Sequence, residues 1–235
     1  MPPVAHAANE KSATPTPAKR GRGRISSKGQ DPASLVNTRA LILDSALQVF
    51  SERGFAGAST REIASRAGVT HTMITYYFAT KDDLWKAAVD FLFERLSREV
   101  RLEGILLDDS DKSLLAAARE GVRNYVRYCA RHPVHHRLMI QESVSDTPRL
   151  QWAIETHIAG NHLPGIELFK VLIARKLVPQ VEPLTLLYMV VGASQLIYTL
   201  SPEVKAIWHI DPQSAPMIEQ HVDAMCRVFF PDKNS

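Results

Sequence analysis

Between Thr60 and Lys81 the chain gathers side chains suited to a polyanion. Arg61 can hold guanine O6 and N7 through two parallel hydrogen bonds. Threonine and tyrosine hydroxyls suit phosphate oxygens, as do free amides at helix N-termini. Thr60, Thr70, Thr72, Thr75, Tyr76 and Tyr77 supply such hydroxyls. Met73 has two readings, a contact with a thymine methyl or a packing residue. Tyr76 and Tyr77 diverge by about 100° on a helix, so they cannot both face one ligand and one of them packs inside.

Histidines form a second cluster, at His132, His135 and His136, with His157 and His162 later. His132 and His136 have the spacing at which two imidazoles can share a metal. Pro133 lies between them and argues against one continuous helix. The sequence holds no HExxH, no GxSxG elbow and no phosphate-binding glycine loop. No catalytic residue, cofactor or metal site is therefore assigned, and an enzyme is the least supported class. Cys129 and Cys226 are the only cysteines. Neither sits in a CxxC pair, so no disulfide framework or thiolate zinc site is implied.

The elements that position these residues are helical. Ile42, Ala46 and Phe50 recur every four residues, with Leu43 and Leu47 beside them, and Gly54 ends that stripe. Ser59 to Glu62 has capping-box spacing and opens a short helix that stops at Gly68. Thr70 caps a second short helix through Tyr77. Two short helices joined by a tight turn make a helix-turn-helix, in which the first braces the second for the major groove. Thr80-Lys81-Asp82-Asp83 starts a longer helix, with acids where the macrodipole favours them, running to about Leu102. After an acidic loop, helices are predicted near 112–131, 133–144, 148–177, 183–200 and 214–230. Pro133, Pro148, Pro183 and Pro216 lie near their starts. Gly160, Pro164 and Gly165 are expected to kink or break the third of them.

The run from Arg39 to Trp85 resembles the DNA-binding domain of the tetracycline-repressor-like (TetR) family. The resemblance rests on Ile42-Leu43, Ala46, Phe50, Gly54-Phe55, Ile63-Ala64, Ala67-Gly68-Val69, Phe78, Lys81 and Leu84. It covers about 50 residues, and the rest agrees in helical layout and length. It implies that Thr60 binds backbone phosphate and that Arg61 reaches a base. His71, Thr72 and Met73 then open the recognition helix and face base edges. Thr75, Tyr76 and Tyr77 fall where the family's aromatic residues hold phosphates, and Lys81 meets the backbone. The family commonly has Tyr where this chain has Thr75, so either that contact is missing or Tyr76 supplies it.

The implied fold is all-α, with an N-terminal three-helix helix-turn-helix DNA-binding domain and a C-terminal helical ligand-binding and dimerisation domain. The expected boundaries are a basic disordered tail over 1–35, the DNA-binding domain over 36–83 and the body over 84–235. The helix over 183–200 is apolar nearly all round and must be covered on every side. In the resembling family the last two helices form a four-helix bundle across a two-fold axis, which implies a homodimer. A ligand cavity is likewise implied, and Tyr125, Tyr128, Trp152, His157, Met189 and Gln195 are its candidate lining residues.

The 235 residues carry a formal charge of +3. Residues 1–30 hold six basic side chains against Glu10, a net +5, which leaves −2 on the remainder. A basic arm on a near-neutral body suits a nucleic-acid partner or serves only solubility. The apolar stretch Leu184 to Leu200 is interrupted by polar residues and falls short of the roughly 20 that span a bilayer. No secretory signal is recognised at the start, and the expected location is the cytoplasm. The expected partners are a double-stranded DNA operator, a small-molecule effector and a second copy of the chain, with no membrane. The competing reading is an effector-independent architectural DNA-binding protein. A large apolar cavity in the body would decide against it.

Overall fold

Helix α1, Pro32–Gly57, opens the part of the chain that the computed structural model describes, residues 32–100 and 110–231. The helix begins five residues before Asn37, where folded structure was expected. The basic arm over 1–31 and the chain over 101–109 lie outside the described residues. At Gly54 the backbone turns to φ 67, so the regular helix stops there and one further turn follows. Only glycine takes that conformation without strain.

The short helix α2, Thr60–Arg66, packs on α1, and α3, His71–Tyr77, packs on α2. Helix α4, Lys81–Glu99, follows. The Thr80 hydroxyl accepts from the Asp83 amide, and the Asp83 carboxylate accepts from the Thr80 amide. This reciprocal cap fixes the register of α4 against α3. Ile42, Leu43, Phe50, Ile63, Ile74, Leu84 and Trp85 close the first core, each at most 1% exposed.

The body consists of α5, Asp111–Arg131, α6, Pro133–Ser143, α7, Pro148–Ala153, and α8, Ala159–Ala174. It is completed by α9, Pro183–Thr199, α10, Ser201–Trp208, and α11, Ala215–Phe229. Prolines open α6, α7, α9, α10 and α11, where a missing amide costs little. Helix α10 was not expected from the sequence. A π turn over Ile154–Ile158 separates α7 from α8, and the helix then continues through Pro164. Pro164 has no amide for the Gly160 carbonyl, and the widened turn sits just upstream of that defect. No strand occurs among the described residues.

A second core joins α5, α8, α9 and α11 through Leu114, Val126, Leu172, Leu186, Val222 and Phe230. Helix α6 contributes Leu138 and Met139 to the first core, not the second. The helices of the body therefore divide between two cores. On α9, Leu184, Tyr188 and Leu196 are exposed, as is Leu200 at its C-terminal cap, along a four-residue ridge that winds round the helix. Val190, on the same helix, is 4% exposed and faces the interior. No single helix among the described residues is long and apolar enough to cross a membrane.

Candidate DNA interface and ligand cavity

The turn between α2 and α3 is set by two backbone bonds. Gly68 N donates to Ser65 O at 3.2 Å and Val69 N to Ala64 O at 3.0 Å. That pattern needs a left-handed residue after the cap, and Gly68, at φ 68, provides it. Ser59 caps α2 by accepting from the Glu62 amide at 3.1 Å. The Glu62 carboxylate, expected to reach back to Ser59, is turned instead to Arg66 at 3.3 Å and Arg53 at 3.7 Å. Two nearby guanidinium groups outcompete one amide for a charged acceptor.

The result is a contiguous outward face. Arg61, Thr70, His71, Thr72, Thr75 and Tyr76 are exposed, while Thr60, Met73, Tyr77 and Lys81 are half-buried. Tyr76 is 75% exposed, whereas Tyr77 packs against the first core. The two rings meet edge to face, with centroids 5.1 Å apart. His71 Nε2 lies 3.0 Å from Thr60 Oγ1, so the first residues of α2 and α3 are tied together. When His71 carries its proton on Nε2 it donates to Thr60, whose own hydroxyl is then free for a phosphate oxygen. The Thr75 hydroxyl donates to the Thr72 carbonyl at 3.0 Å, so it is used within the helix. Lys81 places Nζ 3.2 Å from the Ala56 carbonyl and 4.7 Å from the centre of the Phe55 ring. It therefore also holds α4 to the end of α1, with further ammonium donors left over.

In the body, α4, α5, α6, α8 and α9 border a half-open cavity of about 410 Å³. Phe93, Val122, Leu168, Phe169 and Val190 supply apolar surface. Tyr125 and Gln195 line it, as expected. The other four candidates do not. Tyr128 is fully buried beside it, with its hydroxyl 2.6 Å from His135 Nδ1 and bonded to the Leu92 carbonyl. Trp152 packs edge to face on Trp85 at 5.9 Å, in the first core. His157 is held by Asp90 at 2.8 Å and stacks on Phe93 at 4.7 Å, behind the wall. Met189 is 49% exposed on the outer side of α9. Helical spacing fixes the face of a side chain but not what lies opposite it. His135, His136, Asn161 and His162 line the cavity and were not singled out as ligand contacts. Among the described residues, no three His, Cys, Asp or Glu side chains are grouped for a metal. His132 is drawn off to Glu99 at 2.9 Å instead.

Residues 42–88, the α1–α4 unit that carries this face, match the family model of the bacterial regulatory proteins, tetR family. The chain carries a TetR-family DNA-binding domain. It is 26% identical over 212 residues to the HTH-type transcriptional regulator RutR of Escherichia coli (strain K12), covering 88% of this chain and 95% of RutR. It is 39% identical over 72 residues to the HTH-type transcriptional repressor Rv3405c of Mycobacterium tuberculosis, covering 31% of this chain and 38% of that one. The fold of this chain is similar to that of AibR in complex with isovaleryl coenzyme A and operator DNA. The TM-score is 0.62 at 17% identity, over 83% of this chain and 98% of AibR.

Two helices touch both regions, α6 and α4, the latter through Phe93 and Leu96 in the cavity wall and its packing on α1. Helix α6 presents His135, His136, Met139, Ile140 and Ser143 to the cavity. Its other side packs on α1, where Gln141 Nε2 donates to the Ser51 carbonyl at 2.9 Å. The corner after α6 adds Arg149, whose guanidinium lies 3.9 Å from the centre of the Phe55 ring and pairs with the buried Glu142 at 3.3 Å. The expected link through α4 is present too. Arg95 pairs with Asp44 of α1 at 2.7 Å, and Arg131 of α5 pairs with Glu99 at 2.7 Å.

Proposed function

We propose that this chain is a sequence-specific transcriptional repressor, a homodimer released from its operator by a small molecule that occupies the cavity, acting in the cytoplasm. Arg61, His71, Thr72 and Met73 read base edges, while Thr60, Thr70, Tyr76 and Lys81 hold the phosphates and Tyr77 packs behind them on the first core. Thr75 takes a lesser part, because its hydroxyl is already used on Thr72. The observation that carries this reading is helix α6, one side of which walls the cavity while the other packs on α1. A ligand wedged against α6 would move α1 and, with it, α3. A mainly apolar cavity of ligand size favours this reading over an effector-independent architectural protein.

Dimerisation rests on the α9 ridge. Leu184, Tyr188, Leu196 and Leu200 are uncovered, with Val228 on α11 adding to them. A second copy would bury these side chains and set two recognition helices about 34 Å apart, as half-sites on one face of a duplex require.

The test is a pair of affinities. Operator duplexes are selected from a random library with the full chain, and a ligand is found by thermal shift. Operator affinity with and without ligand, and ligand affinity with and without operator, should then change by one common factor, typically about 5–150-fold. Failure to enrich any sequence would overturn the DNA reading, and equal values in both pairs would overturn the effector reading.

A further inference from the structure

The charge of the cavity wall narrows the chemistry of its occupant. Among the described residues that line it there is no Asp, Glu, Lys or Arg. Its ionisable groups are Tyr125, the histidines His135, His136 and His162, and the largely exposed Tyr188. Burial pushes Tyr125 and the three histidines toward their neutral forms. It holds His136 down to about 4, lowers His135 and His162, and raises the Tyr125 hydroxyl. His135 is further fixed by the Tyr128 hydroxyl. An ion moved against these residues would leave its water and meet no counter-charge among the described ones, which strongly disfavours it.

The wall is not uniformly apolar. His136 Nε2 is buried and has no hydrogen-bond partner. Gln195, partly buried on the facing helix α9, interacts with the same imidazole and opposes the effect of burial on it, yet Nε2 itself stays unpaired. His136 Nε2 is itself closed off from solvent, so the polar group of this wall that a ligand can reach is the partly buried Gln195 amide, held beside the imidazole. Ser143 and Asn161 are more exposed and lie toward the mouth. A volume of about 410 Å³ is near the lower end for small-molecule sites and suits one compact molecule.

We infer that the cavity takes an uncharged, largely apolar molecule that brings one hydrogen-bonding group to the His136–Gln195 wall. This rests on the reading of the cavity as the effector site. A phosphorylated or carboxylated compound of equal size is rejected by the same wall.

The test uses three probes with one skeleton: biphenyl, 4-phenylphenol and biphenyl-4-carboxylate. Each displaces the neutral fluorophore N-phenyl-1-naphthylamine from the full chain at neutral pH. 4-Phenylphenol should act at a concentration at least about tenfold lower than the carboxylate, since ion desolvation goes unrepaid. It should also act about 2–10-fold lower than biphenyl, the worth of one hydrogen bond. Gln195→Leu should erase the second advantage and keep the first. Ala118→Phe and Val191→Phe, which fill the cavity from two different helices, should weaken the fluorophore and all three probes. Their folding is checked by circular dichroism. A carboxylate that binds as well as the phenol would overturn the inference and leave the effector-site reading standing. Equal displacement by biphenyl and 4-phenylphenol, or a Gln195→Leu chain that keeps the difference, would overturn the polar anchor. Fluorophore binding that is absent, or untouched in both folded filling variants, would overturn the effector-site reading and the inference with it.

Discussion

Replacing His136 by phenylalanine should flatten the acid limb of the stability curve. The imidazole sits between α5 and α9, stacked on His135 at 4.9 Å and edge-on to Tyr125 at 5.9 Å. Burial is the main cause that lowers its pKa from 6.5 to about 4, aided by His132 and opposed by Gln195. The unfolded chain therefore binds a proton that the folded chain refuses, and stability must fall as pH falls. No penalty applies above the unfolded value of 6.5. The loss grows between that value and about 4, then stops growing. At about pH 5 the difference in proton binding is worth roughly 2 kcal/mol, and at pH 4 or below it approaches roughly 3 kcal/mol. His135, lowered well below its ordinary value, adds to the same limb. The assay is urea unfolding at about pH 7.5 and pH 5 at one fixed protein concentration, because association shifts apparent stability. Wild type should lose at least about 2 kcal/mol over that interval, and His136→Phe about 2 kcal/mol less than wild type does. Carboxylates held low, such as Glu99 and Glu219, contribute below their unfolded value of 4.5, outside this window. Equal losses in the two proteins would refute the assignment of a neutral, desolvated His136.

Arg61→Ala should cost about 1–3 kcal/mol on the cognate operator and little on random duplex, read by fluorescence anisotropy at fixed salt. Lys81→Ala should weaken every duplex alike and lower the salt slope by about one unit. It should also lower the melting temperature, because it releases the Ala56 carbonyl and the Phe55 ring. Gln141→Leu removes the hydrogen bond from α6 to α1 and should reduce ligand-induced operator release by about 2–10-fold at unchanged ligand affinity, measured by parallel DNA and ligand titrations. Leu196→Glu places a charge on the uncovered α9 ridge and should turn dimer into monomer in sedimentation, while the analogous change at the interior Val190 should instead unfold the body.

Much of the frame is readable from punctuation. Prolines at helix starts, threonine and serine caps and the glycines at positive φ are local signals, and their effects stay local. The helix ends they mark agree with the structure to within a few residues. Gly68 was readable as the turn because the Schellman geometry needs a left-handed residue there. The failures are tertiary. Glu62 left its capping partner because Arg53 and Arg66 stand closer in space than any local rule reveals. Trp152, Tyr128 and His157 share an aromatic character with Tyr125, but each met another buried side chain rather than open volume. His135 and His136 were weighed only as metal ligands, since the sequence gives no sign that a cavity lies against them. Nor does it show that α6 docks on α1, because Gln141 and Ser51 lie 90 residues apart.

The positions of α4 and α6 also divide the cavity into two kinds of wall. Val122 and Tyr125 on α5, Leu168 and Phe169 on α8, and Val190 and Gln195 on α9 line it from helices of the second core. On the proposed reading, substitutions among them should retune which molecule is accepted while the packing on α1 stays as it was. Changes at His136 or Met139 on α6, or at Phe93 or Leu96 on α4, should alter taste and transmission together, because both helices also pack on α1. A lineage exploring new effectors, or an engineer building a biosensor, would be free on the second-core walls and constrained on the other two. Diversification should accumulate on α5, α8 and α9 and spare α4 and α6.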